Sequence, residues 1–139
     1  MQVEKATLLS TEEYEQHKAA ISKLGFNFWW WLRSPGTYSN YYAAGVDDFG
    51  YVYSYGFNVD NSYDAVVPAL VIVASKSEIG SRFSFGDKEF LILSPELAIC
   101  TSSIGKHCFR EDWQAPDAND YEASDVKKFV DEWFHNRHS

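Results

Sequence analysis

At 139 residues the chain has the length of one ordinary domain with a single sizeable core. Its 45% hydrophobic and 17% aromatic content excludes a disordered chain. With 12 basic against 20 acidic residues the net charge is −8, which disfavours nonspecific binding to nucleic acid or anionic lipid.

The opening MQVEKATLLSTEEYEQ has neither the charged-then-apolar pattern nor the cleavage site of a signal peptide. No apolar run approaches the roughly 20 residues of a spanning helix. A cytoplasmic protein is the default expectation, and Cys100 and Cys108 suit that compartment as reduced thiols.

In chain order, LLSTEEYEQHKAAISKLG predicts a helix. Ser10 and Glu13 form an S-x-x-E capping box, with Tyr14, Ile21 and Leu24 at helical spacing. Gly25 is placed to end it in the left-handed region. FNFWWWL reads as a short aromatic strand, and Pro35-Gly36 as a turn. Of Trp29, Trp30 and Trp31, at least one must lie near the surface, because neighbours on a strand alternate.

YYAAGV, YVYSYGF and AVVPALVIVAS read as strands, joined by turns at Asp47-Asp48-Phe49-Gly50 and Asp60-Asn61-Ser62-Tyr63-Asp64. Alternation would put Tyr51, Tyr53 and Tyr55 on one uncharged face. RFSFGDKEFLILS predicts a hairpin around Gly86-Asp87, and ELAICTSS a further strand. After the loop GKHCFREDWQAPDAND, a last helix carries Val126, Phe129, Val130, Trp133 and Phe134 on one apolar stripe. The expected class is α+β, with antiparallel sheets and two helices. It forms one domain over 1–139: residues 1–75 hold the first helix and Tyr-rich strands, and 76–139 the hairpin, acidic loop and last helix.

Trp30 to Gly36, WWLRSPG, together with the Tyr/Ser/Asp/Asn/Gly-rich middle and Val67-Pro68-Ala69-Leu70, resemble a bacterial and phage domain family marked by WWLRSPG and a closing GVRPAL. Ala65-Val66 stand where that family often has Gly and Val, and Val67 where it often has Arg. The segment FSFGDKEFLILSPELAICTSSIG to YEASDVKKFVDEWF resembles what usually precedes those motifs, so the order here is permuted or rearranged. The resemblance implies a C-type-lectin-like layered module of phage or mobile-element origin, which binds through variable aromatic and polar residues on a fixed scaffold. It implies no catalytic chemistry.

The residues support a binding surface on their own account. Tyrosine gives large amphipathic contact area with few torsions to freeze, and Ser, Gly and Asn add adaptable hydrogen bonds; tyrosines on strands are also ordinary sheet formers. The partner-binding residues expected on this reading are Tyr38, Tyr41, Tyr42, Tyr53, Tyr55 and Tyr63. The expected function is a non-enzymatic protein-binding module with another protein as partner, no cofactor, no metal, no membrane and no direct nucleic acid.

The rival is a phage-encoded anti-defence inhibitor of the anti-CRISPR type, aimed at a nucleic-acid-binding host defence protein. Its acidic patch would be Glu111, Asp112, Asp117, Asp120, Glu122 and Asp125, whose carboxylates stand in for phosphates at an arginine-rich site. The plainer reading of those acids, and the one favoured, is a solvated loop and helix start.

Chemistry finds little purchase. Cys100, His107, Cys108, His135 and His138 match no standard zinc spacing, and His107 beside Cys108 would diverge on a strand instead of meeting. Asp47-Asp48 and Asp60-Asn61 lack calcium-loop spacing and read as turn residues. Arg33 reads as a fastener of the adjoining turn.

Overall fold

The computed structural model describes residues 1–138, the side chain of His138 excepted. The capping box forms as expected: Glu13 N–H donates to Ser10 Oγ at 3.1 Å and Ser10 N–H donates to Glu13 Oε1 at 2.8 Å, starting α1 (Thr11–Ser22). Arg33 completes this joint. Its Nη1 donates to the Leu8 carbonyl at 2.8 Å and to Glu13 Oε1, so the arginine of WWLRSPG locks the helix start to the strand beside it. Burial works against the Glu13 charge, yet the Arg33 hydrogen bond and the Ser10 amide hold its carboxyl below the ordinary value.

Three strands build a small antiparallel sheet in the order β2-β3-β4: β2 (Trp30–Pro35), β3 (Tyr42–Val46) and β4 (Val52–Asn58). The aromatic strand begins later than FNFWWWL predicted, at Trp30. Both faces of β2 are covered. Trp30 meets Tyr14 and Phe26 at 5.6 Å between ring centroids, whereas Trp31 meets Phe109 at 5.5 Å and Phe57 at 5.8 Å. Trp29, at the strand's entry, is the exposed member of the trio.

The second sheet has five antiparallel strands in the order β1-β5-β8-β7-β6. Its members are β1 (Gln2–Thr7), β5 (Ala69–Val73), β6 (Arg82–Phe85), β7 (Lys88–Ser94) and β8 (Leu97–Cys100). The sequence reading missed β1. It is an edge strand whose Glu4 and Lys5 stay exposed, so it lacks the apolar alternation by which strands announce themselves.

The predicted strand AVVPALVIVAS is shorter than expected, because Pro68 brings no N–H to a ladder. Ahead of it, Ala65 makes only isolated bridges, parallel to Trp30 and antiparallel to Lys106. Hydrogen bonds on either side reinforce them. Ala65 N–H donates to the Trp29 carbonyl at 2.7 Å, Val66 N–H to Gly105 at 2.8 Å, and His107 N–H to Asp64 at 3.2 Å. The 64–66 segment thus joins the small sheet to the 104–107 segment.

The last helix, α2 (Asp125–His138), packs against β1. One buried cluster runs from Ala6 through Trp30, Leu32, Ile72, Phe90 and Ile92 to Trp133. Phe129 is partly buried against it. Val71 is only half-buried, since on β5 it alternates with Leu70 and Ile72, which point inward. Among the described residues no helix is long and apolar enough to cross a membrane.

Candidate functional site

The six tyrosines singled out from the sequence fall into two ring groups and an outlier. Tyr38 and Tyr41 both contact Tyr42, at 4.8 and 5.1 Å between centroids, and Trp113 joins Tyr41 at 5.8 Å. Tyr55 contacts Tyr53 at 5.4 Å, and Tyr53 contacts Trp29 at 5.3 Å and Phe57 at 5.4 Å. Tyr63 stands 79% exposed in the 60–64 turn. Tyr51 does not extend the face of Tyr53 and Tyr55. It lies before β4, its ring centroid 5.3 Å from Lys18 Nζ of α1.

The turn acids serve their turns. Asp47 Oδ1 accepts from the amides of Phe49 and Tyr51 at 2.8 and 2.9 Å, and Asn61 Oδ1 accepts from the Tyr63 amide at 2.8 Å. In the acidic loop, four of the six carboxylates are occupied locally. Asp112 accepts from the Gln114 amide, Asp120 from the Glu122 amide and Asp125 from the Glu111 amide. Asp117 pairs with Arg110 at 3.3 Å.

Burial pushes the thiols of Cys100 and Cys108 up, and neighbouring Asp125 and Glu111 push Cys108 further. A thiol held protonated is a poor nucleophile. The His107 ring stacks on Phe129 at 4.9 Å, with Nδ1–H donating to the Cys108 carbonyl at 2.8 Å. His135 is exposed on α2; the side chain of His138 lies outside the described residues. Among the described residues no three His, Cys, Asp or Glu side chains gather as a metal-holding group.

The site that sequence reading missed lies where 64–66 joins the small sheet. A pocket of about 420 Å³ is lined by Phe28, Trp29, Phe57, Asn61, Tyr63, Asp64 and Lys106. The bridges of Ala65 hold Asp64 against Trp29 on one side and the Lys106 segment on the other. Gly45 leaves room for this wall: a Cβ there would come within 2.2 Å of the Phe57 ring. Trp29 and Phe57 contact each other at 4.7 Å, so the aromatic wall is set by the frame.

Asp64 is 3% exposed, and its Oδ2 is shielded with no donor among the described residues in reach. Burial pushes its carboxyl from the ordinary 3.8 up to about 7. A buried acid with an unpartnered oxygen, lining an aromatic pocket, marks a place where a ligand group can complete an unfinished interaction. The lining brings together one carboxylate, the ammonium of Lys106, the amide of Asn61 and four aromatic rings.

Its signal in the sequence is faint. Asp64 stands flush against the buried run Ala65-Val66-Val67; Asp47, which also follows a buried run, differs in capping its own turn.

Comparison with protein-family models, with curated proteins and with solved structures found no match to this chain.

Proposed function

We propose that the protein is a non-enzymatic protein-binding module that engages its partner through the tyrosine-rich surface. The carrying observation is the set of exposed, mutually touching rings. Tyr38 is 65% exposed, Tyr55 53% and Trp113 45%, each in ring contact with a half-buried neighbour. Half-buried Tyr42, Tyr41 and Tyr53 hold the outer rings in place, so little side-chain freedom is lost on contact. The C-type-lectin-like arrangement, the phage or mobile-element origin and the cytoplasmic setting come from the sequence reading and its family resemblance.

The anti-defence reading, in which the acidic loop mimics nucleic acid, is favoured less. Asp112, Asp117, Asp120 and Asp125 serve the local turns and the start of α2, which is reason enough for acids there.

The test compares two mutant sets on one partner, captured from host lysate and then purified. Alanine at Tyr38, Tyr41, Tyr42, Tyr53, Tyr55 and Tyr63 should weaken binding by about 2 kcal/mol or more at the hot spots, with melting unchanged for the exposed positions. Lysine at Glu111, Asp112, Asp117 and Asp120 should alter mainly the salt dependence of association. Loss confined to the acidic set would establish the mimic in place of the tyrosine surface.

A further inference from the structure

We propose that the pocket between Trp29 and Asp64 is a binding site for an alkylammonium group, which would pair with the Asp64 carboxylate against the rings of Phe28, Trp29 and Phe57. The inference does not rest on the partner-binding reading, because a free amine suffices to test it.

Three observations converge on this ligand chemistry. First, Asp64 is built in: it is 3% exposed, lines the pocket, and has an oxygen that no donor among the described residues reaches. A buried carboxylate needs a donor or a counter-charge, and an ammonium supplies both. Second, four of the other six lining residues are aromatic, Phe28, Trp29, Phe57 and Tyr63, beside Asn61 and Lys106, and Trp29 is held in ring contact with both Tyr53 and Phe57. Such faces attract cations and pack against alkyl carbons, whereas they offer an anion nothing. Third, the protein does not supply the cation itself. Lys106 is exposed at the rim, and among the described residues no ion pair joins it to Asp64 or to any other carboxylate. The upward push on the acid comes from burial alone, consistent with an unmet charge.

Proton exchange follows from the burial that raises the acid's pKa. An ammonium pairs only with the ionised acid, so binding should expel the proton that Asp64 holds in the empty pocket. The other titratable groups lining the pocket are Lys106 on the 104–107 segment and Tyr63 in the turn of Asp64 itself. Phe28, Trp29 and Phe57, which complete the wall, do not titrate. His107 is turned away onto Phe129 and the Cys108 carbonyl.

The probes are n-butylammonium, its neutral counterpart n-butanol and the anion butyrate, titrated into the intact chain and followed by NMR. We expect saturable shifts at the Trp29 indole and the Asp64 carboxyl for butylammonium alone. Calorimetry in buffers of differing ionisation enthalpy should show proton release on binding that diminishes as pH is raised, because burial raises the acid's pKa. Asp64→Asn should lower the affinity at least tenfold and abolish proton release.

Trp29→Leu keeps the acid and should weaken binding several-fold, in line with the loss of a cation–π face. Lys106→Ala removes a like charge from the rim and should not weaken it. A lysine side chain on a partner and a free amine share this chemistry. Nα-acetyl-lysine methylamide binding more tightly than butylammonium would identify the peptide source, and the reverse the small amine. The proposal is overturned if butanol or butyrate binds as well as butylammonium, if Asp64→Asn binds undiminished, if Lys106→Ala abolishes binding, or if butylammonium produces no saturable shift.

Discussion

At Asp64, burial becomes a stability term with a definite sign. The folded carboxyl keeps its proton up to about pH 7, whereas the unfolded chain releases it near the ordinary 3.8. Between those values the unfolded state binds fewer protons, so stability falls as pH rises, and above 7 the loss is complete. A shift of this size corresponds to on the order of 4 kcal/mol. Asn has nearly the same shape and never ionises. The stability of Asp64→Asn relative to the parent should therefore climb between pH 4 and pH 7.5 and level off beyond, as read by urea denaturation at each pH. Any fixed cost of the buried amide is the same at every pH, so it cannot imitate the slope. A flat difference would mean that Asp64 ionises normally in a wet pocket. Arg33 is the counter-example: another charge in a short motif, but one whose Nη1 is engaged with Glu13 and the Leu8 carbonyl, where it joins the helix start to β2.

Among the elements, α2 shows what a sequence pattern can and cannot reveal. Its i, i+3, i+4 stripe was legible because helical period and burial coincide there, and Val126, Val130 and Trp133 are indeed buried. Nothing in that stripe showed that its neighbour is β1, an edge strand hidden by charges. Trp133 contacts Phe85 and Phe90, each at 5.9 Å between centroids, so it ties the helix to the β6–β7 hairpin. The hairpin turn is closed over the same helix: a Cβ on Gly86, whose φ is 62°, would fall 2.1 Å from Arg137 Cγ. Trp133→Ala should therefore cost about 3–5 kcal/mol, seen as a lower denaturation midpoint at unchanged slope. An unchanged midpoint would make α2 an appendage. Trp133 Nε1 is shielded and without a partner, so Trp133→Phe, which removes that unmet N–H and keeps a ring, should lose much less.

For the whole molecule, the class and nearly every strand could be read because turns at Pro35-Gly36, Asp47 to Gly50 and Gly86-Asp87 punctuate apolar runs. The site could not. It depends on where Ala65 crosses between Trp30 and Lys106, a long-range register that local pattern does not encode. The ring groups were half legible: the tyrosines stood out by composition, but Trp29, Phe57 and Trp113 join them only through folding.

The same long-range register governs how the molecule should unfold. The five-stranded sheet takes β1 and β5 from residues 1–75 and β6, β7 and β8 from 76–139, and β5 pairs with β8 through Ala69 to Val71. Residues 1–75 hold the whole small sheet, but neither part holds the five-stranded sheet, and the 64–66 crossing ties the small sheet to the 104–107 segment as well. With one buried cluster spanning all of it, opening one part exposes apolar surface on the other, the condition for all-or-none unfolding. Tryptophan fluorescence, which weights Trp30 and Trp31 in the small sheet with Trp133 in α2, should therefore change at the same urea concentration as far-UV circular dichroism. Residues 1–75 expressed alone should give the spectrum of an unfolded chain. Two separated transitions, or a folded 1–75 fragment, would show that the parts on either side of residue 75 are independent units and that the crossing at Ala65 is a contact between them.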